Sequence, residues 1–78
     1  MQTVYILLCA DEGFYVGSTS DLEARLKRHN QGKVQSTKYR LPMELETHTV
    51  FRDKYKAFKF EKYLKSGSGI AFRNKRLV

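Results

Sequence analysis

The chain has almost nothing with which to cross-link itself. Its one cysteine, Cys9, lies in an apolar run. Neither an intrachain disulfide nor a cysteine-based zinc site can therefore form, and Cys9 reads as a small core residue. Long apolar runs are missing too. The longest, Val4 to Ala10, is far too short to span a bilayer, and no charged segment precedes it as a signal peptide would require. These absences argue against a membrane partner and make a cytoplasmic location the default expectation. Repeats, linkers and low-complexity tracts are also absent. A length of 78 residues leaves room for one domain, 1–78, with one modest core.

Acidic residues are scarce in the second half. Residues 1–31 hold three basic side chains and four acidic ones, whereas residues 32–78 hold twelve basic and four acidic. The formal net charge of +7 thus arises after residue 31, and a polyanion partner is expected.

Thr3 to Ala10 is rich in strand formers and suits a strand buried on both faces. Asp11-Glu12-Gly13 supplies a turn, with Gly13 free to take positive φ, and Phe14 to Gly17 follows as a second strand. A three-residue loop pairs Ala10 with Phe14 and puts Tyr5 and Tyr15 on one face. They then stand four residues apart along the ladder, roughly 13 Å, and a one-residue slip would separate them. Ser20-Asp21-Leu22-Glu23 is a capping-box sequence that starts a helix at Ser20. Leu22 and Leu26 mark its buried stripe, with Arg25 and His29 flanking that stripe at i, i+4. Asn30-Gln31-Gly32 ends it.

Lys33 to Arg40, with Lys33, Lys38 and Arg40 and no acid, reads as an irregular basic loop, punctuated by Leu41-Pro42. Glu44 to Phe51 suits a third, less buried strand. Asp53 caps a helix to about Lys65, with Tyr55, Ala57, Phe58 and Leu64 on its apolar side and Ala57, Glu61 and Lys65 in one i, i+4 row. Ser66-Gly67-Ser68-Gly69 breaks it, and Ile70, Phe72 and Leu77 suggest a short final helix. The order describes a small α+β domain.

Phosphodiester hydrolysis needs a proton acceptor for water, positive charge for the phosphate oxygens and a counter-charge for the leaving oxygen. A divalent cation held by a carboxylate can supply two of these. Arginine suits the phosphate because its planar fork stays charged. A phenol, with an unperturbed pKa near 10, is a poor base unless its neighbours help. Taken singly, each candidate has an ordinary explanation. Tyr5 and Tyr15 fit a core, Arg25 fits a solvated surface, His29 fits a helix C-terminus, and Glu61 fits an ion pair with Lys65.

Order and spacing change that judgement. Thr3-Val4-Tyr5 and Tyr15-Val16-Gly17 place two tyrosines ten residues apart. Arg25 follows ten later, His29 four after that, and Glu61 lies on a later helix. This arrangement resembles the GIY-YIG nuclease family along nearly the whole chain. The resemblance implies a three-stranded antiparallel sheet flanked by helices and metal-dependent cleavage of DNA. It implies that Glu61 holds one Mg²⁺ or Mn²⁺ ion and that Arg25 stabilises the scissile phosphate. Tyr5 or Tyr15 would help to activate water, His29 would assist proton movement, and Asn74 would match a late asparagine. Ser18 stands where some members carry a lysine.

The expected function is a metal-dependent DNA endonuclease in repair or DNA processing, with structured or branched DNA among its substrates. Lys33, Lys38, Arg40, Lys65 and Asn74 are the expected nucleic-acid contacts. One alternative is a nucleic-acid-binding module with little catalysis. Another is a subunit that cuts only with a protein partner that targets it.

Overall fold

A computed structural model describes all of residues 1–78. It is a three-stranded antiparallel sheet with three helices. The elements are β1 (Gln2–Cys9), β2 (Phe14–Thr19), α1 (Leu22–Asn30), β3 (Met43–Phe51), α2 (Lys54–Leu64) and α3 (Gly67–Arg76). The sheet order is β2-β1-β3. The most apolar strand is thus central, and seven of its eight residues are buried. The edge strand β3 alternates polar and apolar residues and is mostly exposed.

Alternation along β1 divides the core. Val4 and Ile6 pack with Val16, Ala57 and Leu64 beneath α2. Tyr5, Leu7 and Cys9 face the other way and pack with Met43, Tyr15, Leu22, Leu26 and Leu41 beneath α1. A one-residue shift along the strand therefore changes the helix that a side chain meets.

The hairpin register differs from the three-residue-loop expectation. Leu8, not Ala10, pairs with Phe14, and the ladder runs through Leu7↔Tyr15 and Tyr5↔Gly17. The longer connection is held by Cys9 N–H donating to the Gly13 carbonyl and Glu12 N–H donating to the Cys9 carbonyl. The left-handed residue is Glu12, at φ 67°, rather than Gly13. A β-carbon at Gly13 would come within 2.6 Å of Nη2 of Arg40, so that the guanidinium paired with Asp11 would have to shift. The shift of two residues preserves the face and brings the two tyrosines nearer. Gly17 completes the fit, because a β-carbon there would strike the Tyr5 hydroxyl.

Helix α1 starts one residue later than the capping box suggests. Asp21 is the cap, and its carboxylate accepts from Ala24 N–H. Thr19 is still in β2, and its hydroxyl accepts from Asp21 N–H, which holds Ser20 outside the turn. Asp53 caps α2 as expected. The buried side of α2 is Ala57 and Leu64, with Phe60 packed against the same core. Tyr55 and Phe58, expected on that side, face solvent instead, because they are out of phase with the 57–60–64 row. The Ser66–Gly69 segment ends α2 but also opens α3: Ser66 caps it, and its hydroxyl accepts from Gly69 N–H. Gly69 is required because a side chain there would meet the backbone of Tyr63 and Leu64. No helix is long and apolar enough to cross a membrane.

Candidate active site

On the α1 side of the sheet, three aromatic rings meet. The centroids of Tyr5 and Tyr15 are 6.4 Å apart. The His29 ring lies edge-on to both, at 5.7 Å from Tyr5 and 5.2 Å from Tyr15. Tyr5 arrives from the buried strand and Tyr15 from its hairpin partner two ladder positions along. His29 comes from the last turn of α1. It was expected at the edge of the helix stripe but is buried at 1 % exposure, because the ring fills the space between the two phenols and the following loop.

That burial is matched by hydrogen bonds. The Tyr5 hydroxyl lies 2.9 Å from His29 Nε2, and His29 Nδ1 lies 2.8 Å from Thr37 Oγ1. The Thr37 hydroxyl also makes a long contact, 3.4 Å, to the Val34 carbonyl. Tyr15 is half-buried and meets the Ser36 hydroxyl at 3.4 Å. Burial, and then the negative charge of a neighbouring Tyr15 phenolate, push the Tyr5 phenol up to about 12. The nearby Arg25 guanidinium opposes this with its positive charge. Burial, and then the Arg25 charge, lower His29 below the ordinary imidazole range. At neutral pH Tyr5 is therefore protonated and His29 is neutral.

Arg25 is the hinge between this cluster and solvent. Its charge acts on Tyr5 on the inside, and it lines a cleft of about 480 Å³ with Thr19, Ala24, Arg28, Lys33, Val34 and Gln35 on the outside. Three cations and no carboxylate line this cleft. A second cleft, of about 260 Å³, places Tyr15 beside Lys65 and Arg73.

Glu61 comes from α2, which packs on the face of the sheet opposite α1. Its negative charge nonetheless reaches the Tyr5 phenol and helps to raise it. Its carboxylate pairs with Lys65 Nζ at 3.1 Å. No cavity is lined by Tyr5, Tyr15, Arg25, His29 and Glu61 together. No cluster of three or more His, Cys, Asp or Glu side chains forms that could hold a metal. What Glu61 offers is one carboxylate at a surface groove it shares with Phe58, Lys62 and Lys65.

The other expected nucleic-acid contacts fall in different places. Lys33 is exposed beside the Arg25 cleft. Lys38 lies over the exposed Tyr39 ring at 4.9 Å. Arg40 is occupied by Asp11, with Nε 2.9 Å from Oδ2 and Nη2 3.2 Å from Oδ1. Lys65 is occupied by Glu61. Asn74 is exposed on α3. The sequence pointed to neither Thr37 nor the partnership of Arg28 with Arg25. A threonine in a basic loop carries no signal of burial. Arg28, three residues after Arg25 on α1, was legible as its helical neighbour.

Comparison with known proteins agrees with this geometry. Residues 1–74 match the family model of the GIY-YIG catalytic domain. A UPF0213 protein of Lacticaseibacillus paracasei is 47 % identical over 62 residues, which are 78 % of this chain and 70 % of that protein. A UPF0213 protein of Streptococcus pyogenes serotype M5 is 44 % identical over 63 residues, covering 80 % of this chain and 68 % of that one. The solution NMR structure of a UPF0213 protein from Bacillus halodurans superimposes with a TM-score of 0.61 at 32 % identity, over 99 % of this chain and 87 % of that one. With the paired tyrosines, the arginine helix and the three-stranded sheet all in place, the chain belongs to the GIY-YIG family, a nuclease superfamily, and its relatives are the small UPF0213 proteins.

Proposed function

We propose that the protein is a metal-dependent DNA endonuclease that hydrolyses phosphodiester bonds in DNA repair or processing. The observation that carries this reading is Arg25, a cation whose charge acts on a buried Tyr5–His29 pair on one side and which lines a carboxylate-free cationic cleft on the other. A phosphate entering that cleft meets a charge set against a buried polar row, and a preorganised charge is what electrostatic stabilisation of a transition state requires.

The two tyrosines then have separate tasks. Tyr5 is fully buried and keeps its proton to about 12, so it supports Arg25 rather than meeting water. Tyr15 is half-exposed, which makes it the phenol that an attacking water can reach. Arg28 and Lys33 would neutralise neighbouring phosphates, and affinity for DNA would fall as salt rises.

Glu61 would hold a Mg²⁺ or Mn²⁺ ion. One carboxylate is a sparse site, but magnesium commonly takes one or two carboxylates and completes its shell with water and substrate phosphates. Lys65 has to leave Glu61 for this to happen. When bound, such an ion acidifies water and neutralises charge at phosphate.

A second reading, a DNA-binding module with little catalysis, draws on the Glu61–Lys65 pair and the lack of any other carboxylate in the clefts. A cleavage assay with Mg²⁺ and Mn²⁺ on single strands, duplexes and branched DNA separates the two. The nuclease reading expects metal-dependent cutting that Glu61→Gln abolishes while DNA binding is kept or tightened. Undiminished cutting by Glu61→Gln would remove Glu61 from the mechanism. Tight binding with no cutting of any substrate would favour the module.

A further inference from the structure

The direction of every hydrogen bond behind Arg25 can be worked out by counting protons. The Tyr5 hydroxyl is fully buried, and its one hydrogen-bond partner is His29 Nε2, with the Arg25 charge close by. Arginine only donates. If His29 Nε2 also carried a proton, the phenol proton would be buried without an acceptor, a cost of about 1–3 kcal/mol. The phenol must therefore donate to Nε2. His29 is neutral, because burial and Arg25 both disfavour its charged form, so its proton sits on Nδ1. Nδ1 then donates to Thr37 Oγ1 across 2.8 Å. The Thr37 hydroxyl proton is left for the Val34 carbonyl, at 3.4 Å.

We propose that Thr37 is a positioning residue of the active site. By accepting from His29 Nδ1, it fixes the imidazole tautomer that receives the Tyr5 proton and so leaves the phenol's lone pairs free to face the Arg25 charge. The loop between α1 and β3 thereby sets the aim of the phosphate-binding arginine through three side chains. Thr37 is 0 % exposed and touches neither water nor substrate, so its effect has to travel through His29. The role of the chain's far end rests on the nuclease reading. The direction of the bonds does not.

The test is two-bond ¹H–¹⁵N correlation of the His29 ring in the parent, Thr37→Ser and Thr37→Val, with single-turnover cleavage of the substrate that the parent cuts best. The parent and Thr37→Ser should show an unprotonated Nε2 and a protonated Nδ1 across neutral pH. Thr37→Val removes the acceptor, so the opposite tautomer should appear in its spectrum, and cleavage should fall about tenfold or more. Thr37→Ser should restore most of the rate. A parent spectrum with the proton on Nε2 would overturn the proposal without any variant, even if Thr37→Val failed to fold. So would a Thr37→Val protein with the parent's tautomer and rate, or a Thr37→Ser protein with the defects of the valine. A parent that cuts no DNA but shows Nδ1–H in itself and a mixed tautomer in Thr37→Val would sink the nuclease reading and leave the tautomer control standing.

Discussion

The two faces of β1 differ in what they bury. Toward α2, Val4 and Ile6 meet Val16, Ala57 and Leu64, all apolar. Toward α1, Tyr5 meets His29, which meets Thr37, and every polar atom in that row has a partner. Apolar burial is non-directional and tolerates small shifts. A buried polar row has to be complete, because one missing partner leaves another group unsatisfied in low dielectric. The α2 face thus supplies stability, and the α1 face supplies a fixed geometry for Arg25. In so small a chain, one strand serves both ends.

That division can be broken first on the apolar side. Leu64 is fully buried between α2 and the sheet. Leu64→Ala should cost about 2–5 kcal/mol, a large share of the stability of a small domain. Urea unfolding would measure it, and a loss below about 1 kcal/mol would mean that α2 is not the main clamp.

The polar side should show itself through pH. The folded Tyr5 phenol holds its proton to about 12, whereas an unfolded tyrosine releases it near 10. Between those values the unfolded chain binds fewer protons, so stability falls as pH rises, by up to about 2–3 kcal/mol in all. Tyr5→Phe should flatten that alkaline limb. On the acid side the sign is opposite. His29 is lowered when folded, so stability falls as pH drops below about 6.5 and levels off once the folded ring protonates.

The smallest effect should come from the rim. Lys65 and Glu61 form an i, i+4 pair with the lysine half-exposed, a geometry worth a few tenths of a kcal/mol. Lys65→Met should barely move the melting temperature. It should lower the Mn²⁺ concentration needed for half-maximal cleavage, since Glu61 no longer has a competing cation. A raised requirement would instead assign Lys65 to the substrate.

Most of the scaffold was legible because it rests on local rules. The unbroken apolar run of β1 marked a strand buried on both faces, Asp53 marked a helix start, and parity put Tyr5 and Tyr15 on one face. The hairpin register was two residues off because the connection contains a left-handed Glu12, which no turn propensity flags. His29 was misplaced at the edge of the stripe because its hydrogen-bond partner, Thr37, is eight residues on in a loop without periodicity. Tyr55 and Phe58 were misplaced inward because their hydrophobicity was weighed above their phase on α2. Long-range partners of buried polar groups are set by tertiary packing, and a single sequence does not display them.

The separation of the two faces is tested most directly by neighbouring residues. Tyr5→Phe removes one oxygen from the α1 face, and Ile6→Val removes one methyl group from the α2 face. Single-turnover cleavage in Mn²⁺, divided by the fraction folded at the same temperature, isolates chemistry from stability. The expected result is an unchanged rate per folded molecule for Ile6→Val, with about 0.5–1.5 kcal/mol of stability lost, and at least a tenfold loss of rate for Tyr5→Phe. Equal rates for the two variants once folding is accounted for would contradict the account, because Tyr5 would then be no more than a core residue.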